Sequence, residues 1–303
     1  MSDAVLRIVL TFFGLLCGGR RRHIRKAVGV LLSQIMMLAD RRRYAITVEN
    51  LDKAFPEKLM SWKHSTARAA YTNLGLVFTE IAAFPKISDD EIKQSVEYEN
   101  IELLREKYLE NRGLILLSGH FGNWEWLAYS AGLFADIPIT IVVKPQRNRR
   151  ITELLNNNRR RAGNNVVQFD KAAKTIISTL KNGGAIALLA DQAADAERDV
   201  FIDFFGRPAA VYEAPAALAL RLNVPIIMGF AVRQSNSKYR VRLMEIPHKD
   251  LQYSPEDVAE LTRRHTAALE TAIREHPELW AWQHKRWKYK PKQNYTESGG
   301  KIR

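Results

Sequence analysis

The sequence predicts an α/β fold in which a central, mostly parallel β-sheet is flanked by helices and preceded by a helical segment. After residue 95, short apolar runs suited to buried strands alternate with stretches of helical spacing. Before that point, residues 48–84 show helical spacing with one break. The chain of 303 residues is long enough to bury a sizeable core, in one large domain or two smaller ones.

Two apolar runs near the amino terminus, residues 8–17 and 27–39, are shorter than the roughly 20 residues that a membrane-spanning helix needs. Arginines follow them at residues 20–22 and 41–43. Positive charge directly after an apolar run opposes export, and no Ala-x-Ala-like site follows, so we expect no cleaved signal peptide. The pattern favours helices that lie in the membrane interface, with arginines against anionic head groups. The alternative is that both helices pack on the protein's own core.

Turn and capping signals divide the rest of the chain. Pro56 breaks the first helical stretch, "FPKIS" at 84–88 ends it, and "SDDE" at 88–91 has the capping-box pattern of a new helix. Strands are then predicted at residues 113–118, 139–143, 165–169, 185–191, 224–233 and 239–246. Helices are predicted after "GNWEW" and at residues 149–161, 172–181 and 255–275. Ligands of parallel sheets usually bind beyond the carboxyl ends of the strands, where His120 and Asp191 follow two of these runs.

The chain is strongly basic, with 46 Lys and Arg against 33 Asp and Glu and a net charge of +13. The basic residues cluster at 20–26, 41–43, 144–161 and 284–292. A solvated surface would explain any one cluster, but four together favour an anionic partner such as membrane lipid or an acidic protein. Nothing resembles a recognition helix or an RNA-binding motif, so we expect no nucleic acid partner. The single cysteine, Cys17, excludes an intrachain disulfide.

The stretch "LLSGHFGNWEW", residues 116–126, contains one histidine and one carboxylate, His120 and Glu125. Its glycines allow a sharp strand-to-helix turn that exposes the histidine, and Glu125 could fold back onto the imidazole. A carboxylate on one ring nitrogen fixes the tautomer and leaves the other nitrogen free to take a proton from a hydroxyl. Such a pair without its own nucleophile suits direct acyl transfer from a thioester to an alcohol.

Other chemistries have less support in the sequence. There is no Gly-x-Gly-x-x-Gly or Walker pattern for nucleotides and no Gly-x-Ser-x-Gly elbow for serine hydrolysis. There is no His-Glu-x-x-His, and the seven histidines do not cluster at ligand spacing, so we expect no metal and no other cofactor. A non-enzymatic basic membrane-binding protein is the alternative, and its binding would survive loss of His120.

Several blocks resemble, in order, the late lipid A acyltransferases, the lauroyl and myristoyl transferase family of the lysophospholipid acyltransferase superfamily. "ILLSGHFGNWEW" resembles the active-site block of that family, and "ENLDKAFP" resembles its amino-terminal region. Its later segments are matched by "VVKPQRN", "RRRAGNNVV", "LLADQ", "VFIDFFGRPA" and "LWAWQHKRWKYKP". The resemblance covers all but about the last dozen residues. It departs from the family pattern at Val143, at "AADAERD" and at "VYEAP", which concern substrate contacts and leave the reaction class standing.

The resemblance implies a glycerolipid acyltransferase-like fold, His120 as the general base and Glu125 as its orienting carboxylate. It implies that Arg161, together with Lys144, holds a phosphate or the developing oxyanion, since cationic donors suit both. The alternative for Arg161 is a solvated face of the basic helix. Two polar residues that end an apolar strand are expected to shape the substrate site, or else to cap a loop: Asp191 and Gln192.

By resemblance, the donor is acyl carrier protein, with coenzyme A as the alternative, and the acceptor is a hydroxyl of a lipid A precursor, with another glycolipid or an aminolipid as the alternative. Acyl carrier protein is acidic, which suits the basic clusters. We expect a peripheral or monotopic protein on the cytoplasmic face of a bacterial inner membrane. The predicted regions are membrane-associating helices at 1–43, an acyltransferase domain at 44–292 and a disordered tail at 293–303. The sequence indicates no oligomeric state.

Three aromatic clusters have two interpretations each. Trp124 and Trp126 could be packing residues or walls of an acyl pocket. The phenylalanines at 201–205 favour core packing over an acyl channel. The block "WAWQHKRW" suits an interfacial aromatic belt with snorkelling cations or ordinary packing.

Overall fold

The computed structural model describes residue 17 and residues 22–146, 148–195 and 199–291. The helices within these ranges are α1 (Arg22–Ala39), α2 (Arg41–Ala54), α3 (Met60–Ala83), α4 (Asp89–Ser95), α5 (Glu102–Leu109), α6 (Trp124–Ala135), α7 (Arg149–Arg160), α8 (Ala172–Lys181), α9 (Ala214–Leu222) and α10 (Pro255–Glu275). The strands are β1 (Val96–Tyr98), β2 (Leu114–Ser118), β3 (Ile139–Val143), β4 (Asn165–Gln168), β5 (Ala185–Leu189), β6 (Val200–Asp203), β7 (Pro208–Val211), β8 (Ile226–Arg233) and β9 (Tyr239–Glu245). All six predicted strands are confirmed, and α8 and α10 have the predicted ends.

Seven strands form one sheet in the order β1-β9-β8-β2-β5-β3-β4. Every neighbouring pair is parallel except β8 and β9, so the prediction of a mostly parallel sheet is confirmed. β6 and β7 form a separate antiparallel pair. In the register of β2 and β5, Ser118 lies opposite Leu189. The residues that follow these two central strands therefore emerge side by side at one edge of the sheet.

Alternating residues of β2 enter two hydrophobic cores. Ile115 and Leu117 join the core that contains buried residues of α8, α9 and α10. Leu114 joins the core that contains buried residues of α5 and α6. Successive side chains of a strand point to opposite faces, so helices cover both faces of the sheet.

Helix α1 packs on α3 at a close crossing of two glycines. A Cβ on Gly75 would lie 2.2 Å from the carbonyl oxygen of Gly29, so a larger residue there would push the helices apart. The guanidinium of Arg25 pairs with the Glu91 carboxylate of α4 at 3.2 Å. Apolar side chains elsewhere on α1 are exposed: Ile24, Leu31, Ile35 and Leu38. Part of the surface of this helix therefore packs on the protein and part is uncovered, and its position in the membrane interface stays a prediction.

No helix of the described residues is long and apolar enough to cross a membrane. The predicted apolar run at 8–17, apart from Cys17, and the predicted tail at 293–303 lie outside the described residues. The domain boundary expected after residue 43 falls inside α2, which continues to Ala54. The two predicted regions therefore share a continuous helix.

Two of the aromatic clusters pack in the core. Phe204 and Phe205, in the turn between β6 and β7, are buried against Trp280 and Trp282. The core-packing interpretation of the phenylalanine cluster is therefore confirmed. Trp280 and Trp282 are almost fully buried, so ordinary packing, the second of the two interpretations of their block, describes these two side chains.

Candidate active site

His120 lies in the tight connection between β2 and α6. The backbone N–H of Gly122 donates to the carbonyl oxygen of Leu279. Gly122 has φ +56°, and a Cβ on it would lie 1.7 Å from the carbonyl oxygen of Ala231, so glycine is required at this position. Asn123 caps the next helix by accepting from the N–H of Trp126 at 3.0 Å. The turn is thus fixed at both ends and holds the imidazole at the carboxyl edge of the sheet.

Asp191 is the carboxylate that contacts His120. Its Oδ1 lies 2.7 Å from Nδ1 of the imidazole, and its Oδ2 accepts from the backbone N–H of His120 at 2.7 Å. The indole N–H of Trp280 donates to the same Oδ2 at 2.9 Å. Both residues stand two positions beyond paired residues of β2 and β5, so the sheet register brings them together. The carboxylate therefore holds the imidazole with Nδ1 bound and Nε2 directed away.

The electrostatics of this pair favour an ionised aspartate and a basic histidine. Burial raises the pKa of the Asp191 carboxyl, but the charge and hydrogen bonds of His120 and the hydrogen bond from Trp280 lower it to about 2. Burial lowers the pKa of His120, but the charge and hydrogen bond of Asp191 and the charge of Glu125 raise it above its usual value. Asp191 is therefore ionised at neutral pH, with the Nδ1–H of His120 donating to it.

Glu125 does not contact His120, which corrects the expected pairing. Its carboxylate forms a bidentate ion pair with Arg159 of α7, at 2.9 Å from Nε and 2.6 Å from Nη2. Both side chains are largely buried. Glu125 lies in the first turn of α6, which packs beside α7, and its carboxylate is directed to the Arg159 guanidinium. Glu125 therefore acts on the imidazole only through its charge.

The Nε2 side of the imidazole faces polar groups at the mouth of the site. The amide nitrogen of Gln192 lies 3.4 Å from Nε2 of His120 and 2.9 Å from Nε2 of His284. The Trp124 ring packs against the imidazole in an edge-to-face arrangement, with the ring centroids 5.1 Å apart. The His120 side chain is 23% exposed, so a substrate group can reach it. Trp126, in contrast, is buried against Phe84 and Tyr239 and packs in the core.

The two predicted cationic residues have different surroundings. The guanidinium of Arg161 donates to the carbonyl oxygens of Phe84 and Ile87 at 2.6 and 2.7 Å, and it also lies over the Phe84 ring. These contacts tie the end of α7 to the segment after α3, so the side chain is not simply solvated, and its anion-binding role stays a prediction. Lys144 is exposed just beyond β3, the strand next to β5, and its role stays a prediction. The structure thus brings Asp191 and Gln192 to His120, and it places Glu125 and Arg161 in other contacts.

Several residues of the site could not be found by local sequence reasoning. Trp280 and His284 belong to the block for which an aromatic belt and ordinary packing were the two interpretations, and Arg159 is one of several cations in a basic helix. The pairing of His120 with Asp191 did leave a signal, because both follow apolar strands directly. The sequence does not show that these two strands are neighbours in the sheet, so the contact between the two residues could not be predicted from it. Among the residues that the structure describes, no group of three His, Cys, Asp or Glu side chains could hold a metal ion.

The fold and site define an α/β enzyme whose sheet presents a histidine–carboxylate pair at the carboxyl ends of its central strands. The family model described as bacterial lipid A biosynthesis acyltransferase matches residues 4–289, and the chain belongs to this family. The protein is therefore an acyltransferase.

Three relatives have names consistent with this family. The lipid A biosynthesis lauroyltransferase of Escherichia coli (strain K12) is 24% identical over 265 residues, 87% of this chain and 85% of that protein. The palmitoleoyltransferase of the same strain is 21% identical over 251 residues, 83% and 80% of the two chains. The lipid A biosynthesis acyltransferase of Haemophilus influenzae (strain ATCC 51907 / DSM 11121 / KW20 / Rd) is 22% identical over 236 residues, which are 77% of this chain and 72% of that protein.

Proposed function

We propose that the protein transfers a fatty acyl chain from the thioester of acyl carrier protein to a hydroxyl of a lipid A precursor, with His120 as the general base. One observation carries the proposal. Nδ1 of His120 is bound to the carboxylate of Asp191 at 2.7 Å, while the side chain remains 23% exposed for a substrate. The names of the relatives support the lipid A precursor as acceptor.

In the proposed reaction, Nε2 of His120 takes the proton of the acceptor hydroxyl as its oxygen attacks the thioester carbonyl carbon. The carbonyl becomes an oxyanion, and the ionised Asp191 stabilises the imidazolium that forms. Collapse of the tetrahedral intermediate breaks the carbon–sulfur bond. The imidazolium then returns its proton to the thiolate, so the products are an ester and a free thiol.

The transfer is direct because the nucleophile comes from the substrate. The described partner of Nε2 of His120 is the amide nitrogen of Gln192, which is not a nucleophile. The single cysteine, Cys17, is buried, and its carbonyl oxygen accepts a hydrogen bond from Arg25. Burial also raises the pKa of its thiol, although the charge of Arg25 opposes the shift. An acyl-cysteine intermediate therefore has no support.

The donor surface that we propose is the basic side of the site. Arg149 and Arg160, at the two ends of α7, are exposed, and so is Lys144 just before that helix. α7 also contributes Arg159 to the ion pair with Glu125, so it is connected to the turn that holds His120. An acidic acyl carrier protein would be attracted to such a surface and steered toward it.

The acceptor is a membrane lipid, and α1 supplies the surface through which we propose that the protein meets the bilayer. Leu31, Ile35 and Leu38 are 57%, 53% and 71% exposed at helical spacing, which makes an uncovered apolar stripe. The arginines at 41–43 follow this helix and suit anionic head groups. We propose an attachment of residues 1–43 to the cytoplasmic face of a bacterial inner membrane, where lipid acceptors and soluble acyl carriers meet.

Acyl transfer by purified protein tests the proposal. Acyl-acyl carrier protein and a lipid A precursor are supplied in mixed micelles, and the acylated product is measured by mass spectrometry. The His120→Ala variant should lose about 10²–10⁴-fold in turnover, the usual contribution of a positioned base. The His248→Ala variant, in the loop after β9, is the matched control and should keep its turnover. Turnover near the wild-type rate in a folded His120→Ala protein would contradict the mechanism.

A further inference from the structure

His284 lies beside the proposed base on a segment of the chain, residues 280–287, that follows α10 and crosses the site. The N–H of Ala281 donates to the carbonyl oxygen of His120 at 3.0 Å. The side-chain amide of Asn50, on α2, donates to the carbonyl oxygens of Trp282 and His284 at 2.7 and 2.6 Å. The backbone at His284 is therefore held by contacts on both sides, and its imidazole contacts the side-chain amide of Gln192.

The two imidazoles face a common point. Their ring centroids are 6.0 Å apart. The amide nitrogen of Gln192 lies between them, 3.4 Å from Nε2 of His120 and 2.9 Å from Nε2 of His284. One polar heavy atom thus occupies a position within hydrogen-bonding reach of both rings, and a hydroxyl oxygen has the size and the bonding capacity to replace it.

The surroundings of His284 lower the pKa of its imidazole and so favour the neutral form. Burial and the charge of His120 lower its pKa, Asp191 acts in the opposite direction, and Arg43 lowers it further. A neutral imidazole has one N–H, and it can donate that hydrogen to an oxygen without first gaining a proton. In the free protein the Gln192 amide donates its N–H groups to Nε2 of both rings, so the proton of the neutral His284 ring is on Nδ1. When a hydroxyl oxygen replaces this amide, Nε2 of His284 can carry the proton and donate it, whereas His120 keeps its proton on Nδ1 beside Asp191.

We propose that His284 is a second catalytic residue, which donates its Nε2–H to the oxygen of the acceptor hydroxyl while Nε2 of His120 accepts the proton of that hydroxyl. The oxygen takes the position of the Gln192 amide nitrogen, and the Gln192 side chain turns aside when the acceptor enters. This inference rests on the proposed function and assigns a further residue to the same site.

The two contacts act on the same oxygen during one step. As the O–H bond breaks, its proton passes to His120 and the electron pair on oxygen forms the new bond to the thioester carbon. Negative charge on the oxygen is greatest before that bond is complete, and the hydrogen bond from His284 stabilises it there. The proton later leaves with the thiol, and His284 ends the cycle in its starting state.

The experiment compares His284→Ala and His284→Gln in the purified full chain, with acyl-acyl carrier protein and a lipid A precursor. Removal of one preorganised donor costs about 10²–10³-fold in kcat, so His284→Ala should fall by about 10²-fold. The KM for the acyl donor should stay within about twofold, because His284 contacts the acceptor. A Gln amide N–H reaches close to the position of Nε2, so His284→Gln should recover at least about tenfold of the loss.

Thermal unfolding of each variant accompanies the assay. A folded His284→Ala protein with kcat within about threefold of wild type would overturn the inference, as would a loss that appears only in the KM of the acyl donor. If His284→Ala does not fold, His284→Gln decides alone: a folded protein with kcat above about a tenth of wild type supports the inference, and one below that value overturns it.

His120→Ala, measured beside these variants, separates this inference from the proposed function. If His120→Ala is inactive and His284→Ala is fully active, the proposed role of His284 is overturned and the proposed function still holds. If His120→Ala is active, the proposed function with His120 as the general base is overturned.

Discussion

Asp191→Asn is a nearly isosteric change that should reverse the tautomer of His120. Oδ2 of the aspartate accepts from the backbone N–H of His120 and from the indole N–H of Trp280, at 2.7 and 2.9 Å. In the variant, the amide oxygen must take this position, because an NH₂ group there would face two donors. The amide nitrogen then lies where Oδ1 stands, 2.7 Å from Nδ1 of His120. Nδ1 must become an acceptor, so the ring proton moves to Nε2.

An imidazole with its proton on Nε2 cannot take a proton from the acceptor hydroxyl. The same tautomer error in a Ser-His-Asp triad costs about 10⁴-fold in kcat, and we expect a loss of that order. At about 1.36 kcal/mol for each tenfold, this is roughly 5 kcal/mol of transition-state stabilisation.

Stability should change less than activity. The native carboxyl has its pKa lowered from 3.8 to about 2, which corresponds to about 2 kcal/mol of stability at neutral pH. A lowered pKa contributes stability that is present above the unfolded-state pKa of 3.8 and is lost as pH falls to about 2. The stability gap between wild type and variant should therefore narrow below pH 4.

The loss of kcat is checked by measuring acyl transfer by the wild type and Asp191→Asn. The change in stability is checked by urea unfolding of both proteins at neutral and acidic pH. Glu125→Gln is the matched comparison, because it removes the other carboxylate near the ring. If Asp191→Asn kept more than about a tenth of its activity while Glu125→Gln lost all of it, the orienting carboxylate would be Glu125 and the tautomer reasoning would fail.

Three further predictions concern the surroundings of the base. The kcat/KM for transfer should rise with pH to a plateau, with a midpoint above about 6.5, because the neutral form of His120 is active and its pKa is raised. Glu125→Gln should move this midpoint to lower pH. An unchanged pH profile would show that the charge of Glu125 does not affect the pKa of His120. Arg159→Met should lower the free energy of unfolding, measured in urea, by about 3–5 kcal/mol, since it leaves the largely buried Glu125 unpaired. The double variant with Glu125→Gln should recover much of this free energy. If the effects of the two single variants simply add, the two side chains are not coupled. Replacing Leu31 and Leu38 by Ser should weaken sedimentation with anionic vesicles more than high salt does, and unaltered binding would mean that the stripe does not meet the bilayer.

The local pattern of apolar and polar residues was sufficient to predict most of the helices and strands of the fold. The apolar runs at 139–143 and 185–191 became β3 and β5, and the helical pattern at 255–275 became α10, because side-chain periodicity reports which residues are buried in each element. Shorter or atypical elements were missed, among them the three-residue β1 and the β6–β7 pair. Three residues do not establish a period, and the second segment is dominated by phenylalanines that fill the core.

The contacts of the site depended on strand order and helix orientation. The sequence alone determined that His120 follows a buried strand on a glycine-rich turn, and that Asp191 ends another strand. It indicated Glu125 as the partner of His120, because a glycine-rich turn could fold this carboxylate back onto the imidazole and the family resemblance implies that pairing. The tertiary structure decided otherwise: parallel pairing of β2 with β5 brings Asp191 to the imidazole across 71 positions, and the packing of α6 beside α7 pairs Glu125 with Arg159. Sequence periodicity records which side of an element is buried, but not which element lies next to it, so the identity of the carboxylate on the base was a property of the assembled sheet.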